Sequence, residues 1–349
     1  MTAATPLPRA RVLVVDDSAV MRTALTRLLS ADPAIEVVGA APEPNAARAM
    51  IKELDPDVLT LDIEMPGMDG LAFLDRIMRL RPMPVVMCST LTARGAEATI
   101  EALRLGAVDC IAKPSGGAEA IARDGARLCA AVKAAARASV GARAAATPVV
   151  PNAAAPTGPL RDVVIAIGAS TGGVEALFEV IAGLPIDCPP VLVVQHMPAG
   201  FTASFAARLD RDCPIRVVEA ADAMPVERGT VYLAPGGDFH MELAGGVHGR
   251  IRLRPGELHG GGHRPSVDIL FGSVAAVGKA AVGAILTGMG ADGAAGLLAM
   301  RQAGARTLGQ SRDTCVVYGM PRAAFELGAV EREVPLSAMA GAILGACRP

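Results

Sequence analysis

Aromatic residues are scarce in this sequence, which has no tryptophan, two tyrosines and seven phenylalanines among 349 residues. It also lacks an excess of lysine and arginine, because its formal net charge at pH 7 is −2. Nucleic-acid binding normally depends on a basic surface, often combined with aromatic side chains that stack on bases. The composition therefore argues against a nucleic-acid-binding protein.

Long apolar runs and paired cysteines are missing as well. No run of 18 apolar residues occurs, and the longest apolar region, around residues 274–286, is interrupted by Lys279. A membrane-spanning helix needs about 20 such residues, so we expect no membrane insertion. The first residues show neither the charged start nor the apolar segment of a secretory signal.

The seven cysteines are an odd number and contain no Cys-x-x-Cys pair, which argues against a disulfide framework and against a zinc site. Cys88 and Cys110 fall in strand-like runs, where small core residues are expected. We therefore expect a cytoplasmic protein with reduced cysteines.

The content of hydrophobic residues, 52%, is ample for packed cores, and the length predicts two domains. Residues 11–114 alternate apolar runs with helical patterns. The predicted strands are residues 12–15, 35–38, 58–63, 85–88 and 108–111. Five such units predict an α/β domain, a parallel sheet with helices on both faces and functional residues at the carboxyl ends of the strands.

Polar side chains stand at those predicted strand ends, namely Asp16, Asp17, Asp62, Ser89 and Lys113. Three carboxylates in one place repel each other unless a cation binds them, and Mg²⁺ prefers such oxygen ligands. A carboxylate beside Mg²⁺, with a hydroxyl and an ammonium group nearby, can accept a phosphoryl group. The alternative gives the first two aspartates capping roles and Lys113 a surface role.

With these residues the segment resembles a response-regulator receiver domain, for which we expect residues 10–130. The motifs are Val-Val-Asp16-Asp17-Ser, Asp62-Ile-Glu-Met-Pro-Gly-Met-Asp-Gly, Ser89 and Lys113-Pro114. The resemblance implies that Asp62 is phosphorylated, that Asp16, Asp17 and Asp62 hold Mg²⁺, and that Ser89 and Lys113 bind the phosphoryl group. Residues 131–159, rich in alanine and proline, are predicted to be a linker whose start continues the last receiver helix.

A second domain is expected over residues 160–349. Residues 163–173 predict a buried strand followed by a glycine-rich turn, and residues 174–182 predict a helix. Ser170 lies on this turn, and Gly168-x-Ser170-x-Gly172 fits the pattern of a nucleophile elbow. A dinucleotide site would have glycine at position 170, and a P-loop would have lysine at position 174. A plain turn with Ser170 as a helix cap stays an alternative.

Two further polar residues follow buried strands of this domain. His196 follows the apolar run 191–194, and Asp292 follows the run starting at residue 282, just before a helix predicted over 293–303. A nucleophile, a base and an acid can meet in space from separate strands. His240 lies past a Gly-Gly turn and is the nearest competitor of His196.

A dinucleotide fingerprint, Gly288-x-Gly290-x-x-Gly293 with Asp313 twenty residues on, competes with this interpretation. It would place the carboxylate of Asp292 where a pyrophosphate should bind, at a helix N-terminus. A carboxylate there is better suited to orienting a histidine.

Residues 161–349 resemble the catalytic domain of the CheB family of chemotaxis receptor-glutamate methylesterases. The residues that carry the resemblance are Ile167-Gly-Ala-Ser170-Thr-Gly-Gly173, Gln195-His196-Met-Pro198, Arg264-Pro-Ser-Val-Asp268-Ile-Leu-Phe and Leu286-Thr-Gly-Met-Gly-Ala-Asp292-Gly-Ala-Ala-Gly296. The chain order of serine, histidine and acid differs from that of α/β-hydrolases. The segment Pro235-Gly-Gly-Asp-Phe-His240 departs from the family's shorter Pro-Gly-Asp-x-His, and this departure leaves the three triad positions unchanged.

The resemblance implies a phosphorylation-activated serine hydrolase with Ser170, His196 and Asp292 as catalytic triad and with Met289 supplying an oxyanion contact. It implies removal of methyl esters from glutamates of chemoreceptors, deamidation of certain receptor glutamines, and a histidine kinase as phosphodonor. It implies no cofactor for the esterase chemistry, and an unphosphorylated receiver that covers the catalytic cleft. The expected fold is a (βα)5 receiver domain followed by a doubly wound, mostly parallel α/β domain with a small antiparallel hairpin.

Alternatives from other classes stay open at this point. One is a phosphorylation-controlled interaction protein whose hydrolase domain is silent. A transcriptional regulator would need a basic helix-turn-helix after the linker, and the glycine-rich βα pattern contains none. An oxidoreductase built on residues 282–313 would bind a nicotinamide cofactor.

Overall fold

The computed structural model describes residues 9–65, 69–89, 92–114, 117–138, 159–259 and 262–349. The chain divides into two compact units, Met1–Ala144 and Ala145–Pro349. Helix α5 runs from Ala118 to Ala135, so the first residues of the predicted linker are helical, and residues 139–158 lie outside the described residues. The predicted domain limits at 10–130 and 160–349 stay predictions.

The first unit is a five-stranded parallel sheet with the strand order β2-β1-β3-β4-β5. Each strand is followed by a helix, as the alternation of apolar runs and helical patterns predicts. The elements are β1 (Ala10–Val15), α1 (Ala19–Ser30), β2 (Ile35–Ala41), α2 (Pro44–Leu54), β3 (Val58–Asp62), α3 (Gly70–Leu80), β4 (Val85–Ser89), α4 (Ala93–Arg104), β5 (Asp109–Ala112) and α5 (Ala118–Ala135).

The second unit has a seven-stranded sheet with the order β14-β13-β12-β6-β7-β9-β8 and a separate hairpin, β10-β11. Its elements are β6 (Val164–Ala169), α6 (Gly173–Ala182), β7 (Val191–Gln195), α7 (Phe201–Asp212), β8 (Arg216–Glu219), β9 (Thr230–Leu233), β10 (Phe239–Ala244), β11 (Arg250–Pro255), α8 (Val267–Ala275), β12 (Ala281–Ile285), α9 (Ala294–Gln302), β13 (Arg306–Gln310), α10 (Met320–Glu326), β14 (Arg332–Val334) and α11 (Leu336–Ala346). The ladders of the large sheet are parallel and the hairpin is antiparallel, which confirms the predicted fold class.

Strands β6, β7 and β12 are buried along their whole length because helices cover both faces of the sheet. The three strands are neighbours in the order β12-β6-β7. Residues that follow their carboxyl ends are therefore brought to one edge of the sheet.

All seven cysteines are free and buried, including Cys88 and Cys110, as the strand-like runs predicted. Burial raises the pKa of the Cys88 thiol to about 12, so this sulfur stays protonated and behaves as a small core group. Within the described part of the chain, no helix combines the length and the hydrophobicity that a membrane crossing requires.

Candidate active site

Ser170 directly follows β6, on the turn that leads into helix α6. Its backbone N–H donates to the carbonyl of Thr287 (3.0 Å), and its own carbonyl accepts from the side-chain amide of Gln195 (2.9 Å). These bonds tie the turn to the segments that follow the neighbouring strands. The side chain is largely buried, with a residue exposure of 9%.

The turn is shaped by Gly172, which has a φ of 75° and lies against Val316. A Cβ at position 172 would be 2.5 Å from the Cβ of Val316, so only glycine fits both the left-handed backbone and the space. Gly172 is also the N-cap of helix α6, and no side chain caps this helix. The alternative that Ser170 serves as the helix cap is therefore wrong.

His196 follows β7, and its backbone N–H donates to the carbonyl of Ala169 (3.0 Å), the residue before Ser170. The Nε2 atom of its ring lies 2.8 Å from Oδ2 of Asp292. The other ring nitrogen, Nδ1, is buried and has no hydrogen-bond partner in the described residues. The predicted base, His196, and the predicted acid, Asp292, are thus hydrogen-bonded to each other. In the part of the chain that the structure describes, His196 and Ser170 are not hydrogen-bonded to each other.

Asp292 is held by the first turn of helix α8. Oδ1 accepts hydrogen bonds from the Ser266 hydroxyl (2.8 Å) and the Asp268 N–H (3.1 Å), and Oδ2 accepts one from the Val267 N–H (2.8 Å). Burial raises the pKa of this carboxyl, but the hydrogen bond from His196, its charge and the backbone N–H groups together outweigh burial, so the net pKa is lowered. The carboxylate stays ionised, and it favours the tautomer with the proton on Nε2 and the lone pair on Nδ1 of His196.

Helices α8 and α9 cap each other. Asp292, which precedes α9, accepts from the N-terminus of α8, while Asp268 in the first turn of α8 accepts from the N–H of Gly296 in α9 (2.7 Å). A helix N-terminus can bind an anion. At helix α8 a protein carboxylate, that of Asp292, already occupies this position, and at helix α9 the carboxylate of Asp268 does so. This arrangement argues against a pyrophosphate at the Gly288-x-Gly290-x-x-Gly293 loop.

Gly288 brings the loop after β12 against the nucleophile candidate. A Cβ at position 288 would lie 2.7 Å from the Cβ of Ser170. The N–H of Gly288 donates to the carbonyl of Val317 (3.1 Å), and its carbonyl accepts from the N–H of Met320 (2.8 Å). The next N–H in the chain is that of Met289, which makes no hydrogen bond within the described residues.

Sequence reasoning assigned no role to several residues that hold this site. Gln195 and Gln310 are buried amides at strand ends, and Gln310 accepts from the N–H of Thr287 (2.8 Å). Thr287 in turn donates through its hydroxyl to the carbonyl of Thr171 (3.0 Å). A polar side chain at the end of an otherwise apolar strand, as in β7, was a signal that could have found Gln195; β13 also contains Arg306 and Thr307, so Gln310 had no such signal.

Two further histidines, His240 and His263, make specific contacts around the site. His240, buried in the hairpin, accepts from the Ser266 N–H at Nδ1 (3.2 Å) and donates from Nε2 to the carbonyl of Glu257 (2.8 Å), so it supports Ser266 and does not reach the triad candidates directly. His263, which the sequence places in a glycine-rich loop, stacks on the ring of His196 with centroids 3.7 Å apart.

In the first unit the predicted phosphorylation-site residues lie together. The ammonium group of Lys113 is 2.8 Å from Oδ2 of Asp16 and 2.8 Å from Oδ2 of Asp62. Burial raises the pKa of Asp62, and Lys113 counteracts only part of that effect. Ser89, the last residue of β4, is buried.

The carboxylates of Asp16, Asp17 and Asp62 each offer one oxygen, and these atoms lie within 4.8 Å of one another. Hard oxygen donors at this spacing fit a Mg²⁺ ion, which prefers few carboxylates and keeps several waters. Asp17 is exposed, whereas the other two are buried. An ion bound by these carboxylates would therefore be accessible to a phosphodonor from the side of Asp17.

Comparisons with known proteins match both units. The model of the CheB methylesterase family matches residues 165–343, and that of the response regulator receiver domain matches residues 12–123. The chain is 58% identical to protein-glutamate methylesterase/protein-glutamine glutaminase 1 of Caulobacter vibrioides, over 97% of this chain and 98% of that protein. It is 56% identical to the protein of the same name in Rhizobium johnstonii, over 96% of each chain.

Among solved structures, the catalytic domain of the Thermotoga maritima CheB methylesterase superposes with a TM-score of 0.50 at 36% identity. The match covers 52% of this chain and 97% of that domain. The similarity thus extends from the sequence to the fold of the second unit.

Proposed function

We propose, because this chain belongs to the CheB methylesterase family, that it hydrolyses the methyl esters of glutamate residues in chemoreceptors under the control of receiver phosphorylation. The family resemblance seen in the sequence is confirmed by the family models and by relatives covering nearly the whole chain. The observation that carries the chemistry is the bond between His196 Nε2 and Asp292, with Nδ1 of the same ring left available.

In the proposed reaction the Ser170 hydroxyl attacks the ester carbonyl while Nδ1 of His196 takes its proton. Asp292 holds the ring and stabilises the imidazolium that forms. His196 then protonates the departing methanol, and a water molecule cleaves the acyl-enzyme by the same route. The Ser170–His196 hydrogen bond forms when substrate binds, since such contacts are often long in free enzymes.

The Met289 N–H is the proposed oxyanion donor. Two observations support it: Met289 directly follows Gly288, which packs closely against Ser170, and no other group in the described residues accepts from this N–H. A donor of this kind contributes about 3–4 kcal/mol to transition-state stabilisation. The same acyl chemistry applied to a glutamine side chain releases ammonia in place of methanol. We therefore include deamidation of receptor glutamines in the proposed activity.

The receiver unit is the proposed control element, with a histidine kinase as phosphodonor. Asp62 accepts the phosphoryl group, Lys113 pairs with its oxygens, and Ser89 donates a hydrogen bond to them. Asp16, Asp17 and Asp62 would hold Mg²⁺, which neutralises charge on the transferring group. A cytoplasmic location is part of the proposal.

The test measures methanol release from methylated receptor membranes by wild-type protein and by Ser170→Ala. We expect the variant to lose about 10⁴-fold or more of the activity, because the acyl-enzyme cannot form. Ser204→Ala in helix α7 is the matched control and should behave as wild type. Activity that survives Ser170→Ala would refute the serine mechanism, and a wild-type protein that releases no methanol would favour the silent-hydrolase alternative.

A further inference from the structure

The ring of His263 lies flat on the ring of His196, with centroids 3.7 Å apart and planes inclined by 2°. Aromatic rings left to themselves prefer offset or edge-to-face arrangements, usually with centroids about 4.5–7 Å apart. The two imidazole rings are parallel and closer than this range, which indicates a constraint from the surrounding backbone in addition to their own attraction.

The surroundings of His263 provide such a constraint. Its N–H donates to the carbonyl of His259 (2.8 Å), and its carbonyl accepts from the N–H of His259 (3.1 Å). The following residue, Arg264, donates to the carbonyls of Gly237 and Gly256, both at 2.6 Å. The bonds of Arg264 thus anchor the chain directly after the stacked ring to other segments, while the pair of bonds with His259 joins two positions of the same segment.

His196 needs a constraint of this kind. Among the described residues its ring makes one hydrogen bond, from Nε2 to Asp292, and a single bond leaves the ring plane free to rotate about the line joining these atoms. That rotation would move the unpaired Nδ1, which has to meet the Ser170 proton. A flat neighbour in contact with the ring face removes this freedom, and small displacements of a reacting group are costly in rate.

We infer that His263 is a positioning residue for the proposed esterase reaction, holding the His196 imidazole in the plane that directs Nδ1 towards Ser170. The inference rests on the proposed function of Ser170 and His196. His263 acts through the flat face of its ring, so another planar ring should replace it.

The experiment compares His263→Leu and His263→Phe in the full-length protein on methylated receptor membranes, with His248→Ala as a control, since the His248 side chain is exposed and pairs with Asp162. We expect the leucine variant to lose about 10- to 100-fold in kcat with little change in KM. The phenylalanine variant should recover most of that loss, and the control should match wild type. Thermal unfolding of each variant checks that the fold is intact.

A fluorophosphonate probe that labels reactive serines provides a second readout that needs no receptor. Its labelling rate at Ser170 should fall in the leucine variant and recover in the phenylalanine variant. The inference is overturned if both variants equal wild type, if phenylalanine is as poor as leucine, or if the loss appears only in KM. Wild-type protein that neither releases methanol nor reacts with the probe would instead overturn the proposed function itself.

Discussion

The hydroxyl of Ser266 donates to Oδ1 of Asp292 at 2.8 Å and also accepts, at 3.4 Å, from the N–H of Ile269 in helix α8. One side chain thus caps a helix and holds the proposed catalytic carboxylate. Asp292 is thereby fixed by the end of a helix and not by a flexible loop alone. The position of the His196 ring depends on this arrangement, because Asp292 is its hydrogen-bond partner.

Replacing Ser266 by alanine should therefore affect both stability and rate. A hydrogen bond to a charged group contributes about 1.5–3 kcal/mol, so the free energy of unfolding should fall by that amount. We expect kcat to fall about tenfold, because the carboxylate and the His196 ring lose part of their support. Steady-state kinetics and denaturant unfolding measure the two effects.

Ser273→Ala is the matched control, since Ser273 accepts from the Leu243 N–H and donates to the Leu270 carbonyl away from the triad candidates. It should lower stability without lowering kcat. Equal losses of kcat in both variants would argue against a special role of Ser266.

Replacing Asp292 by asparagine should reduce kcat by about 10⁴-fold, because an amide does not favour the His196 tautomer with the free lone pair on Nδ1. KM for methylated receptor should change little, since Asp292 is buried and lies behind the histidine. A loss confined to KM would show that the carboxylate serves substrate binding instead.

The lowered pKa of Asp292 predicts the sign of a pH effect on stability. A carboxyl whose pKa is lower in the folded state stabilises the fold above its unfolded pKa of about 3.9, and this contribution disappears as the pH falls through the folded pKa. The difference in the free energy of unfolding between wild type and Asp292→Asn should therefore be largest near pH 6 and become smaller below pH 4. Urea unfolding across this range measures it, and a difference independent of pH would contradict the prediction.

Gly288→Ala tests the close approach of the loop after β12 to the nucleophile. The new methyl group would lie 2.7 Å from the Cβ of Ser170, so the loop has to move and the Met289 N–H moves with it. We expect a loss of about 100-fold in kcat in a folded protein. Gly341→Ala in helix α11 is the control, because in the described part of the chain no atom outside the helix's own neighbouring backbone lies within 4 Å of the added Cβ, and alanine favours a helix. Activity unchanged in Gly288→Ala would argue against the oxyanion role of this loop.

Asp62→Asn should abolish stimulation by a small phosphodonor with Mg²⁺ while leaving basal hydrolysis in place. The physical reason is that an amide cannot accept the phosphoryl group or ligate the ion as a carboxylate does. Asp75→Asn, at a half-buried residue paired with Arg79 on helix α3, is the matched control and should retain stimulation. Methanol release with and without the phosphodonor measures the effect, and stimulation that persists in Asp62→Asn would refute the proposed switch.

The alternation of apolar runs was sufficient to predict both parallel sheets, because strands buried on two faces have a strong hydrophobic signal. It also placed Ser170, His196 and Asp292 at the ends of what prove to be neighbouring strands. The strand order itself, β12-β6-β7, could not be obtained from local patterns, since it depends on which faces the helices cover. The contacts made by Ser266 and His263 were missed for a similar reason.

Those two residues lie in the segment between the hairpin and helix α8, far along the chain from their partners. The motif Arg264-Pro-Ser-Val-Asp268 carries the family resemblance, but the local pattern predicts only a loop followed by a helix cap and does not reveal the partners of Ser266 and His263. Their roles arise only when α8 packs against α9 and brings its N-terminus to Asp292. Tertiary packing, and not local propensity, creates this part of the site.

The burial of all seven native thiols makes the wild-type background suitable for site-directed labelling. A maleimide dye would react preferentially with a cysteine introduced on the surface of either unit, since the native cysteines are buried. A donor and acceptor pair, one on each unit, could then report in real time how the distance between them responds to a phosphodonor. No cysteine-free version of the protein would be needed for such an experiment.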